Sequence, residues 1–173
     1  MLSVSFQRFA LPADGIVRQI PSSLGALAVG KDASGDLLLA VDAHEAFWIG
    51  LSTTDPQPVY VALQVSFIDG ASVDALSGQT WREAAAHLIR MESRATVAGI
   101  LGPDGSSGVF ARVATPPFPA ARSMLLALSH DGKEVVAAAS VALVDYGSFE
   151  ARTGLAAPLP LDADAGYKGW RLP

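Results

Sequence analysis

The stretch DAHEAFWIG, residues 42 to 50, sets Asp42, His44 and Glu45 directly ahead of Phe47 and Trp48. Carboxylate and imidazole are donor types that zinc or manganese accepts, and the same groups can exchange protons with a substrate. A metal held here needs a further ligand from elsewhere, since no second histidine follows at HxH or HxxxH spacing. No cofactor is predicted outright; a divalent metal at this turn is the alternative that the residue types leave open. The competing reading makes DAHE a solvated hairpin turn between DLLLAV and AFWIGLS, with Phe47, Ile49 and Leu51 entering a core. Trp48 then falls on the opposite face, where its indole has to be covered by another element, a second subunit or a ligand.

Other candidate chemistry is thinner. Glu83 and His87 stand four apart in a stretch with helical spacing, but Glu83 also completes a capping box, and surface placement accounts for the histidine. His130-Asp131-Gly132 pairs an imidazole with a carboxylate, yet Asp-Gly is foremost a hairpin turn. The serines of GSSG at 105 to 108 lack the strand-turn-helix setting of a GxSxG nucleophile, and GPDGSSG lacks the GK[ST] ending of a phosphate loop. No dinucleotide fingerprint occurs. A sugar ring would stack on aromatic faces, for which Trp48, Tyr60, Tyr146, Tyr167 and Trp170 are the candidates, although aromatics make up only 8% of the chain.

The elements that must position these residues are mostly strands. SVSFQRF near the start alternates, and VYVALQVSF puts Val59, Val61, Leu63, Val65 and Phe67 on one face. Three turn-rich stretches, KDASG, GPDGSSG and HDGK, each separate two apolar runs and predict antiparallel hairpins. Two such sheets face to face would bury the many Val, Leu and Ala residues, so the fold class expected is a mainly β, antiparallel β-sandwich. One α-helix is expected at about 80–93, where Thr80 and Glu83 form the capping box and Trp81, Ala84, Ala85, Leu88 and Met91 follow at helical spacing. KEVVAAASVALVDY is open to either structure, and its valines and preceding turn favour a strand buried on both faces. From residue 149 the Pro- and Gly-rich sequence predicts an extended C-terminal arm, so the division expected is a sandwich over 1–148 and an arm over 149–173, anchored on the domain or on a neighbouring subunit by Tyr167 and Trp170.

Composition narrows the partners. The chain has 173 residues, no cysteine and a formal charge of −5, with 50% hydrophobic and only 17% charged residues. Its twelve basic residues are scattered, the nearest to a cluster being Arg82, Arg90 and Arg94, so a nucleic-acid or anionic-membrane surface is not expected. The longest apolar run, VVAAASVALV at 135–144, is about half of the ~20 residues that a membrane helix needs. The first residues alternate and carry no basic start, unlike a signal peptide, so a cytoplasmic protein is expected. A sparsely charged globule often covers part of its surface with another subunit, which predicts a homo-oligomer or a permanent protein partner. The function that follows is non-catalytic binding or assembly by self-association. The alternatives are a metal-dependent enzyme or metal-binding module using Asp42, His44 and Glu45, and a carbohydrate-binding module.

Overall fold

The computed structural model describes residues 1–82 and 86–161, and these form thirteen strands and one helix. In chain order the strands are β1 (Leu2–Ala10), β2 (Ile16–Val17), β3 (Val29–Lys31), β4 (Leu37–Ala40), β5 (Glu45–Thr53), β6 (Val59–Phe67) and β7 (Ser72–Asp74). They continue with β8 (Ile89–Met91), β9 (Arg94–Val97), β10 (Ile100–Leu101), β11 (Ser107–Gly108), β12 (Ala121–Ser129) and β13 (Val135–Val144), and α1 (Tyr146–Thr153) follows. One sheet runs β1-β5-β9, a second small one β10-β11-β2, and the large one β3-β4-β13-β12-β6-β7 with β8 also paired to β6. Every pairing is antiparallel except that of β13 with β4.

Alternation in the sequence explains the packing. Val59, Val61, Leu63, Val65 and Phe67 of β6 are all buried, and they meet Phe6, Phe47, Ile49 and Leu51 of the β1-β5-β9 sheet in one core. Phe47 stands edge-on to Phe6 at 5.7 Å between ring centres and stacks on Phe110 at 5.6 Å, an arrangement that adds to simple burial. The mainly β, sandwich-like architecture read from the sequence is therefore present, and all three turn-rich stretches join antiparallel neighbours: β3 to β4, β10 to β11, and β12 to β13.

Four expectations are corrected. The single helix among the described residues lies at Tyr146–Thr153, and the expected span of about 80–93 holds a strand at Ile89–Met91. Within that span, Thr80 bridges to Val73, the Trp81 N–H donates to the Ser72 carbonyl, and Ile89–Met91 pairs with Val59–Val61. Neighbouring sheet edges offered backbone partners that a local capping box could not match; Glu83, Ala84 and Ala85 lie outside the described residues. DAHE is no hairpin turn, because β4 and β5 belong to different sheets and the chain crosses the core between them. Leu39 and Val41 enter the core from one side and Phe47 from the other.

β13 is a strand, but it is not buried on both faces. Its residues 135–140 are exposed, and only Val141 and Leu143 are buried, where β4 runs beside it. The expected arm begins as a helix: Asp145 caps α1 by accepting from the Ser148 N–H, and Gly154 ends it in the left-handed conformation at φ 71°. Phe149 anchors it, fully buried against Leu38 and Ala40.

Candidate functional site

The turn at residues 42–45 distributes its polar groups among three different tasks. Asp42 accepts the His44 N–H at 2.9 Å through its side chain, which shapes the turn. His44 is exposed, and its carbonyl accepts from the Leu11 N–H. Glu45, only 1% exposed, turns the opposite way. Its Oε1 accepts the Asp42 N–H at 2.7 Å and the Tyr146 hydroxyl at 2.7 Å. The other carboxylate oxygen lies 3.6 Å from Arg8 Nη1.

These contacts make a buried polar network joining β1, β5 and α1. Arg8 Nη1 donates to the Tyr146 hydroxyl at 3.1 Å and to the Leu159 carbonyl at 2.7 Å, which ties the chain beyond α1 to the same point. Burial, and then the hydrogen bond to Glu45, push the Tyr146 hydroxyl to a higher pKa than a free tyrosine, so it stays a donor throughout the physiological range. Arg8 Nε and Glu45 Oε2 are buried without a hydrogen-bond partner among the described residues. This buried ion pair is a structural device: removing either member would leave the other charge uncompensated.

Asp42, His44 and Glu45 therefore do not converge, and no group of three or more metal-ligating side chains comes together among the described residues. Trp48 is half-buried, donates from its indole N–H to the Pro21 carbonyl at 3.0 Å, and packs on a small cluster containing Phe9, Val17 and Val109. The question of what covers its indole is thus answered within the chain. Tyr60 lies against Gly132, and Tyr146 is held in the Glu45 network. Tyr167 and Trp170 lie outside the described residues.

His130-Asp131 also resolves as turn chemistry. Asp131 accepts from the Ser129 hydroxyl and from the Lys133 and Glu134 backbone N–H groups. These donors, the backbone ones foremost, hold its carboxyl down at about 2. His87 is not on a helix; its backbone N–H donates to the buried carboxylate of Asp74, which also accepts from Leu76.

No known protein family, curated protein or solved structure matches this chain.

Two features had no signal in residue spacing. The first is an apolar groove of about 460 Å³ between the β1 edge and β13. It is lined by Val4 and Phe6, by Leu126 and Leu128 of β12, and by residues 137–141, without a charged side chain. The second is a cleft of about 400 Å³ at the other end of β13, where Arg112, Arg122 and Arg152, far apart in the sequence, come together. No helix of the described residues is long and apolar enough to cross a membrane.

Proposed function

We propose that the chain is a non-catalytic assembly module that binds a second copy of itself, edge to edge, along β13. The observation that carries this reading is the open, uncharged edge at residues 135–140. Over that stretch β13 pairs with β12 on one side, and β4 joins on the other only from Val141 onward. Val136 is 54% exposed, and Val135 and residues 137–140 are exposed beside it. An edge strand normally carries a Lys, a Pro or a bulge that discourages pairing; VVAAAS carries no Lys and no Pro, and its one register shift against β12, at Val136, sits near the start of the stretch and leaves residues 137–140 in regular register.

The adjoining groove favours a copy of this chain over an unrelated partner. A protein of net charge −5 repels its own copies unless they meet on an uncharged patch, and both the groove lining and the 135–140 strand are uncharged. Antiparallel pairing of β13 with its copy is isologous, so it closes at two chains while continuing the sheet across the contact. Val4, 38% exposed on β1, would then be covered along with Val135 and Val136.

Light scattering on the eluting protein tests this. The wild-type chain is expected at the mass of two chains, and Ala138→Lys at the mass of one, with an unchanged circular-dichroism spectrum. A wild-type chain that stays monomeric at high concentration overturns the reading.

A further inference from the structure

We infer that the cleft between the start of β12, the end of β13 and the first turn of α1 binds a small organic oxoanion, a carboxylate or phosphate carried on a short apolar body. The cleft holds about 400 Å³ and its charged and hydroxyl lining is Arg112, Arg122, Arg152, Asp145 and Ser148. In a chain where acidic residues outnumber basic ones by 17 to 12, three arginines around one cleft are a local reversal of sign.

Charge accounting shows which arginines remain for a ligand. Arg152 donates to Asp32 at 2.6 Å and is neutralised there. Asp145 turns both oxygens to Ser148, accepting its N–H at 2.8 Å and its hydroxyl at 2.8 Å. These bonds, with Arg112 contributing by its charge, lower the Asp145 carboxyl below the ordinary range. Arg112 is pinned by its Nε, which donates to the Val41 carbonyl at 2.9 Å, and its two terminal nitrogens have no acceptor among the described residues. Arg122 has no hydrogen-bond partner among them either. A planar guanidinium with its stem fixed and its fork open matches the paired oxygens of a carboxylate or phosphate.

The backbone gives an independent reason for Arg122. The pairing of β12 with β6 shifts register between Ala121, which faces Phe67, and Ser123, which faces Ser66, so Arg122 is the extra residue of a bulge. The bulge lets Ala121 and Met124, three apart, both be buried, which strict alternation forbids. It leaves Arg122 exposed at the cleft, the kind of re-aiming for which bulges occur beside functional sites. The apolar side of the ligand is specified by Leu143 and by Ile68, which is 74% exposed at the same cleft.

The test is isothermal titration of the full chain with phenyl phosphate, benzoate and inorganic phosphate. Saturable binding of phenyl phosphate or benzoate, tighter than that of inorganic phosphate and weakened by added salt, is expected. Arg122→Gln is expected to weaken it about tenfold or more, with the thermal midpoint unchanged because the residue is exposed. Preference for phenyl phosphate or for benzoate distinguishes a phosphate from a carboxylate ligand. Absence of saturation by either organic probe at about 10 mM, equal binding by Arg122→Gln, or binding of inorganic phosphate alone would each overturn the inference. Arg112→Lys, which keeps the charge and loses the fork, is expected to weaken binding less than Arg122→Gln does.

Discussion

Glu45 shows how a residue that looks reactive in the sequence can be structural in the fold. Within HEAFW its neighbours suggested a solvated turn, whereas it is the first residue of β5 and its carboxylate is buried under Tyr146. Strand alternation determined where Phe47 and Ile49 point, and both are core residues as their spacing indicated. Nothing local could reveal that Glu45 has partners 37 residues before it and 101 after it, since Arg8 and Tyr146 meet it only through the tertiary fold. Glu45→Ala removes the acceptor of the Tyr146 hydroxyl and the Asp42 N–H and leaves the Arg8 charge facing a cavity. The expected cost is about 3 kcal/mol or more, by analogy with other buried pairs broken on one side. Tyr146→Phe removes the donor to the Glu45 carboxylate and the acceptor of Arg8 Nη1 but keeps both charges paired, and is expected to cost about 2 kcal/mol. Urea unfolding of the two variants checks both values, and equal, small losses would remove the network from any account of stability. His44→Ala, whose side chain is exposed, serves as the comparison with little expected effect.

At the scale of elements, local signals succeeded where they agreed with packing and failed where they competed with it. TWRE is a strong capping box, but the chain around it is drawn into edge pairing with β6 and β7, and Met91 fills the core as a strand residue. The helix that does form, YGSFEART, has a weaker apolar stripe with a single buried residue, Phe149. Its start and stop signals, Asp145 and Gly154, were readable in the sequence; what they lacked was a long periodic run between them. Phe149 therefore decides whether α1 stays docked. It reaches Gly30, where a Cβ would stand 3.1 Å from the ring and as close to Thr153 and Leu155, so a glycine at that point of β3 makes room for the helix. Phe149→Ala is expected to cost about 3–5 kcal/mol, the usual range for a fully buried phenylalanine. Hydrogen exchange would show faster exchange at residues 146–153 than at β12; uniform protection of both would mean that the helix is held by other contacts.

For the whole molecule, the proposed self-association turns on which surface would hold two copies together. The sequence suggested self-association from low charge and high apolar content, and placed the contact on Trp48 and on Tyr167 and Trp170 of the C-terminal arm. Trp48 is engaged inside its own chain, and the described part of the arm is tied back to the same domain through Arg8, which donates to the Leu159 carbonyl. The open edge of β13 could not be foreseen, because its sequence reads as a central strand: ten apolar or small residues without a charge. The short reach of β4 beside it, from Val141 to Val144, leaves residues 135–140 open on the side away from β12. The two surfaces give opposite expectations for a chain ending at Leu161. If the contact is the β13 edge, this shortened chain keeps the two-chain mass in light scattering, and adding Ala138→Lys to it abolishes that mass. If the arm holds the copies together, shortening alone yields the monomer and Ala138→Lys in the full chain leaves the dimer intact. Because Arg8 keeps its Leu159 acceptor in the shortened chain, loss of dimer there would report on the contact itself and not on unfolding of the Arg8–Glu45–Tyr146 network, which the thermal midpoint would confirm.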